Sequence, residues 1–426
     1  MKLLAYRYLP VNIFLIYTIF VYAALFFGPI KYVEMDYLAV ILFCSVFAIM
    51  MLLGFIKGVS GSFHVEPEPL GKKSEKLINF IIILSVIIAF KLWGQFILSG
   101  RSLSLASMGD NYVSSYDGYT RGQASIGFSY IFAIFEQTLT TICLLVTFSH
   151  FGTLKKNIKI MALFVVLTYL LVNVIGSGKQ KYLGDVLIFL SYSYLIKMSI
   201  FRRKIGINKF IGYTALISVF ICLFSFILNS RYSAIGINSG NISDSLHPLI
   251  VWDSGSILFD VFGEELAFPI GMFLGYFSNG LYGLSLSLHM DFEWTYLVGN
   301  SYSLSRIIEV VISSPGLILA NSYPFRAEEL GWGLDKWHSA FSWFASDVSF
   351  PGVIVLGAFF GFFYGRIWKG AQSNRNAFSK PIFIYLSLGA VFIYSNNQMF
   401  HSLSGVFTFV ILISLYFLSR KPLKLF

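Results

Sequence analysis

Long unbroken apolar runs separated by short polar connections make up most of the chain, and the apolar residues follow one another without strict alternation. Each run holds roughly 17 to 25 residues, the length an α-helix needs to cross about 30 Å of hydrocarbon. Continuous apolar character argues for helices, because a transmembrane barrel alternates apolar and polar positions along every strand. Candidate spans fall at about 11–29, 38–56, 77–98, 126–149, 159–176, 182–199, 209–228, 266–288, 303–320, 348–368, 381–396 and 399–419. The pattern predicts an all-α, polytopic integral membrane protein with about 12 transmembrane helices, forming one transmembrane helical domain over 1–426. Two spans are weak and open to a re-entrant reading: 266–288 is rich in Gly and Ser, and 303–320 contains Arg306, Glu309 and Pro315.

Composition agrees with this class. Of 426 residues, 56% are hydrophobic and only 12% charged, and the mean hydropathy is +0.73, more apolar surface than a soluble core can bury. Cys44, Cys143 and Cys222 all fall inside apolar segments and read as small hydrophobes, so no disulfide framework is implied. The first apolar segment follows Lys2 and Arg7 as a signal peptide's would, but its length and the many later spans make it the first helix.

Charge sets the orientation. Lys2/Arg7, Lys57/Lys72/Lys73/Lys76, Lys155/Lys156/Lys159, Arg202/Arg203/Lys204/Lys209, Arg366/Lys369/Arg375/Lys380 and Arg420/Lys421/Lys424 fall on every second connection, which predicts cytoplasmic termini. The count stays even whether 266–288 and 303–320 both cross or both turn back. Positive-inside bias accounts for the net charge of +10, and no nucleic-acid partner is needed.

The other face differs in kind. Its connections 99–125, 229–265 and 321–347 are long and of mixed charge, carrying Asp110, Asp117, Arg121, Arg231, Asp253, Glu264, Asp335 and His338 among others. Long loops rich in Trp, Tyr and Gly cost ordering entropy and are usually kept for a site. A plainer account makes them solvated caps, with Trp332, Trp337 and Trp343 as an interfacial aromatic belt.

Several stretches favour a site. "VIGSGKQKYLGDV" places Lys179 and Lys181 on the face that should hold few cations, and "ILNSRYSAIG" puts Arg231 just beyond the seventh span. "SNNQMFHSLSG" interrupts an apolar run, and on a helix its Asn397 and His401 would share a face. "GWGLDKWHSAFSWFASDVSFPG" sets His338, read as an exposed loop residue, among three Trp. Each has an ordinary alternative: the lysines snorkel, Arg231 pairs with a loop carboxylate, the Asn pair caps helices. Taken together they gather cations, amides and imidazoles on the outer face, where an anionic lipid-linked substrate fits. No P-loop, H-E-x-x-H, G-x-S-x-G or C-x-x-C is present, so ATP-driven transport and zinc proteolysis have no support in the sequence. No outer loop holds a D-x-D pair for a divalent ion, and fixed Lys and Arg would have to neutralise phosphate instead.

In the order of these features the chain resembles the O-antigen polymerases (Wzy), the oligosaccharide repeat unit polymerases related in outline to the C-type glycosyltransferase superfamily. Three stretches carry the resemblance: "GSGKQK", "NSRYSAIG" and "WHSAFSWFASDVSFPGVIVLGAFFGFFYG". The first departs from the family's more usual Arg directly after Gly-Ser, which leaves Lys179 and Lys181 both open for its role. The resemblance implies a bacterial inner-membrane glycosyltransferase of lipopolysaccharide biosynthesis, without cofactor or metal. It would move a growing glycan from undecaprenyl diphosphate to a hydroxyl on the next lipid-linked repeat unit. Arg231 with Lys179 or Lys181 would meet the diphosphate, His338 would act as base or orienting acceptor, and Trp332, Trp337, Trp343, Asn397 and His401 would contact glycan. Partners would be undecaprenyl diphosphate-linked oligosaccharides, membrane lipid and a chain-length regulator in the same membrane. An O-antigen ligase would share most of these features. A lipid-linked oligosaccharide flippase should show internal repeats and charges near mid-membrane, which this sequence lacks.

Overall fold

A computed structural model describes residues 6–61, 70–121, 128–201, 207–238, 240–373 and 376–419. Of the basic residues used for orientation, Lys2, Arg202, Arg203, Lys204, Arg375, Arg420, Lys421 and Lys424 lie outside the described residues, as do the side chains of Asp117, Arg121 and Lys209. The structure is predominantly helical. In chain order the main elements are α1 (Leu9–Phe27), β1 (Ile30–Tyr32), α2 (Tyr37–Gly58), α3 (Lys72–Leu98), α4 (Met108–Arg121), α5 (Phe128–His150), α6 (Lys156–Leu170), α7 (Lys181–Phe201), α8 (Ile207–Ala234), β2 (Ile250–Trp252), α9 (Ile257–Ser287), α10 (Tyr302–Val311), α11 (Ala340–Ser373), α12 (Ser379–Phe392) and α13 (Leu403–Leu418). Among the described residues seven helices are long and apolar enough to cross a membrane: α1, α2, α3, α5, α6 with the π turn Leu171–Ile175 that ends it, α7 and α11.

The chain packs as two compact units. Unit one comprises Met1–His64, Ser243–Lys369 and Tyr385–Phe409; unit two comprises Val65–Ile242, Gly370–Ile384 and Val410–Phe426. In unit one, α2 and α11 meet backbone to backbone. A Cβ on Gly54, Gly58 or Gly361 would collide with the carbonyl of Ala358, Phe362 or Met51. This is the small-residue spacing that lets helices approach closely where no hydrophobic force drives them together. Near the start of α1, Trp368 Nε1 donates to the Arg7 carbonyl at 3.1 Å and Lys369 Nζ to that of Ser60 at 2.9 Å. At the other end of α1, β1 pairs antiparallel with β2, with Ile30 opposite Trp252.

That second end corrects the expected span at 266–288. Helix α9 begins earlier, bends at Gly263 (φ 70°, ψ 167°), and runs beside the segment linking α1 to α2. A Cβ on Gly271 would strike Pro29, Tyr282 Oη donates to the Val33 carbonyl at 3.1 Å, and His289 Nε2 lies 3.3 Å from Asp36. Helix α9 thus follows the connection between α1 and α2, and it is not among the seven helices long and apolar enough to cross. Its Gly and Ser content permits this close backbone approach. The expected span 303–320 is also absent as a crossing: α10 has 10 residues, about 15 Å at 1.5 Å per residue. Buried Glu309 then accepts from the amides of Ile318 and Leu319 at 2.9 and 2.7 Å and turns the chain back.

Helix α11 breaks at Ser349 (φ 61°, ψ 167°), two residues before Pro351, which lacks an N–H and disfavours helical backbone ahead of it. Between α12, with 14 residues, and α13, with 16, residues 393–402 are unwound. Asn397 and His401 therefore do not share a helix face, as the sequence suggested. They close a turn, His401 N donating to the Asn397 carbonyl at 3.0 Å.

In unit two the expected loop 99–125 contains α4, an amphipathic helix whose Met108, Asn111 and Ser115 are buried. It packs on α8 so tightly that a Cβ on Gly109 would sit 2.8 Å from the Ala234 Cβ. Lys91 and Glu136 form an ion pair between α3 and α5 at 2.5 Å, with Glu136 buried.

Candidate functional site

The cations singled out from the sequence come together in unit two. Arg231 lies in the last turn of α8, which extends past its expected end, so the residue is helical and not on a loop. Its Nη1 donates to Gln180 Oε1 at 2.7 Å. The guanidinium covers the Tyr112 ring, with Cζ 3.5 Å from the centroid. Among the described residues of its unit no carboxylate pairs with Arg231, and its buried Nε has no partner.

Gln180 belongs to the turn that carries the lysines. Gly178 there has φ 64°, and a Cβ on it would collide with the Met108 carbonyl, so the turn presses onto α4. Asn111 of α4 fixes it from the side, donating to the Ile175 carbonyl at 3.1 Å. Lys179 is half-buried, and desolvation, with the positive charges of Arg101 and Lys181, pushes its ammonium pKa down. Lys181 differs: its Nζ is held by buried Asp185 at 2.8 Å. The two lysines thus differ in environment: among the described residues Lys181 has a carboxylate counter-ion and Lys179 has none. Four cations therefore gather here: Arg101, Lys179, Lys181 and Arg231. Arg101, Tyr112 and Gln180 were not foreseen.

Unit one holds the remaining predicted residues, in a different role from the one expected. His338 is 2% exposed, a correction to its reading as an exposed loop residue. Its Nε2 donates to the Gly333 carbonyl at 3.0 Å, and Nδ1 packs against Gly283, where a Cβ would come within 2.7 Å. Burial pushes its pKa down to about 4, so the ring is neutral at pH 7. Trp332 and Trp343 are 1% and 2% exposed. Trp332 donates to the Trp337 carbonyl at 3.1 Å and packs edge-on against Tyr282, with centroids 4.8 Å apart. Trp343 packs edge-on against His401 at 5.2 Å, and His401 stacks on Tyr302 at 5.5 Å. Of the three Trp only Trp337, edge-on to Tyr276 at 4.6 Å, retains partial exposure. Asn397 donates to the Asn300 carbonyl. A cavity of about 310 Å³ in the same unit is lined by Phe47, Phe341, Phe344, Phe359, Phe360 and Phe400 among other apolar groups. Among the described residues no group of His, Cys, Asp or Glu is arranged to hold a metal ion.

Comparison of the chain with protein-family models, curated proteins and solved structures gives no match. The chemistry of the two clusters is thus read from their residues alone. Unit two offers a partly desolvated cationic locus in which Asp185 is the one counter-ion among the described residues, suited to an anion. Unit one offers neutral imidazoles, amides and indoles locked by packing.

Proposed function

We propose that the chain is an oligosaccharide repeat unit polymerase of a bacterial inner membrane. It transfers a growing glycan from undecaprenyl diphosphate to a hydroxyl of the next lipid-linked repeat unit. The observation that carries this reading is Arg231, stacked on Tyr112 next to the turn of Lys179 and, among the described residues of its unit, paired with no carboxylate. A guanidinium so placed can donate from Nη2 and Nε while Nη1 stays on Gln180.

The bond that breaks joins the reducing sugar carbon to the diphosphate oxygen. The electron pair leaves with undecaprenyl diphosphate, and the acceptor oxygen bonds to that carbon while its proton passes to the departing diphosphate. Most of the barrier lies in charge developing on the departing phosphate, so preorganised cations contribute more than a strong base. Lys179, with its lowered pKa, is a poorly solvated cation that gains from an incoming anion. Lys181 stays with Asp185 and keeps the turn in register. His338, neutral and enclosed, is a positioning residue that holds the loop at Gly333.

A strain deleted for this chain tests the reading through its lipopolysaccharide. One capped repeat unit on the core is the expected profile; complete loss of attached glycan indicates a ligase or flippase, and an unchanged ladder removes the chain from the pathway.

A further inference from the structure

The segment Asp291–Asn300 joins α9 to α10. In the structure it projects four large side chains: Phe292 is 45% exposed, Trp294 51%, Tyr296 49% and Leu297 61%. Its backbone is strained, with Tyr296 at φ 58° and Leu297 at φ 62°, a region bulky residues rarely adopt. Such conformations persist only where surroundings over-determine them, and they concentrate at binding sites.

The surroundings here are specific. Asp347, 6% exposed, accepts from Thr295 Oγ1 at 2.6 Å, Gly299 N at 2.8 Å, Asn300 N at 2.8 Å and Asn300 Nδ2 at 2.7 Å. Arg326 adds a donor to the Asp291 carbonyl at 2.7 Å and an ion pair with Glu293 at 3.3 Å. Thus clamped, the half-exposed Trp294 and Tyr296 rings stand 5.0 Å apart, tilted by 43°.

We infer that Trp294 and Tyr296 form a rigid platform for sugar rings of the glycan, the choice of glycan resting on the function proposed above. Aromatic faces take the apolar C–H face of a pyranose, and the flanking carboxylates of Asp291 and Glu293 accept its hydroxyls. Two features disfavour a membrane anchor. An interfacial Trp needs no strained, pinned backbone, and exposed carboxylates repel an anionic headgroup layer.

The test uses the full chain in nanodiscs and, as probe, glycan freed by mild acid from the host's lipid-linked repeat units. Binding is read by saturation-transfer NMR and by titration. Trp294→Ala with Tyr296→Ala should weaken binding about tenfold or more, and the Phe variants should recover part of it. Both side chains are half-exposed, so melting temperature should hold. Asp347→Asn, which leaves the rings in place and loosens the clamp, should weaken binding less. In cells the double Ala variant should still make polymer, but of shorter mean length. Unchanged binding in the double Ala variant overturns the platform. So does quenching of Trp294 fluorescence by brominated lipid, taken as the difference between wild type and Trp294→Phe, which would make the loop a membrane anchor. Binding is read without turnover: a chain that binds free glycan and makes no polymer sinks the polymerase reading alone, whereas polymerisation with unchanged binding in the variant sinks the platform alone.

Discussion

Replacing Arg231 separates an anion-binding role from a packing one. Among the described residues the side chain makes one charge-assisted hydrogen bond, to Gln180 at 2.7 Å, and one close stacking contact, with Tyr112 at 3.5 Å. Because no carboxylate among the described residues of its unit pairs with Arg231, its removal strands no buried anion among them, and Arg231→Ala should cost the fold about 1–2 kcal/mol. Loss of a paired contact to a diphosphate is larger, on the order of 3 kcal/mol, roughly a hundredfold. Displacement of labelled farnesyl diphosphate from purified protein in nanodiscs reads this directly. Alanine should bind about a hundredfold more weakly and lysine about tenfold, since lysine keeps the charge but loses the fork and the stacking on Tyr112. Wild-type binding by Arg231→Ala at normal abundance would refute the reasoning. Equal loss in both variants with a large fall in melting temperature would assign Arg231 to structure.

Other expectations follow from the same geometry. His338 has a folded pKa near 4 against about 6.5 unfolded, so the unfolded chain binds the extra proton between these values. Stability should be full above about pH 6.5 and fall by about 3 kcal/mol as pH drops to 4, and His338→Gln should blunt that fall in thermal melts across pH. For the same reason His338 should place no limb near pH 6.5 in a pH–activity profile. Gly361→Ala should lower the melting temperature of detergent-solubilised protein, at a cost of about 1–3 kcal/mol, because its Cβ meets the Met51 carbonyl; an unchanged melt would contradict the α2–α11 contact. Cysteines at Ser114 and Ser243, both exposed, should react with an impermeant thiol reagent from outside, and one at exposed Ser60 should not. The reverse pattern would invert the orientation.

The long helices were legible because an unbroken apolar run of span length has few other uses. What hydropathy does not distinguish is a helix buried by lipid from one buried by protein, and α9 is the second kind: its glycines accept Pro29 and Ile30 at distances only a missing Cβ allows. The stretch holding Asn397 and His401 was read as helical from spacing alone, but the Asn397 amide binds the Asn300 carbonyl and the chain is unwound there. Lys179 and Arg231 stood out because cations are scarce on that face. Arg101 and Gln180 did not, since their importance comes from contacts between segments distant in sequence. Tryptophan misled for a related reason: a core indole and a sugar-stacking indole look alike in sequence, and burial alone puts Trp332 and Trp343 in the first group.

The most direct test is reconstitution of the purified chain in liposomes with undecaprenyl diphosphate-linked repeat unit as the sole substrate. Lipid-linked dimers, trimers and longer oligomers should appear, with one undecaprenyl diphosphate released for each bond formed, and Arg231→Ala should slow both about a hundredfold. Unaltered repeat unit in the presence of properly inserted protein, or movement of the intact lipid across the bilayer without bond formation, would contradict the account.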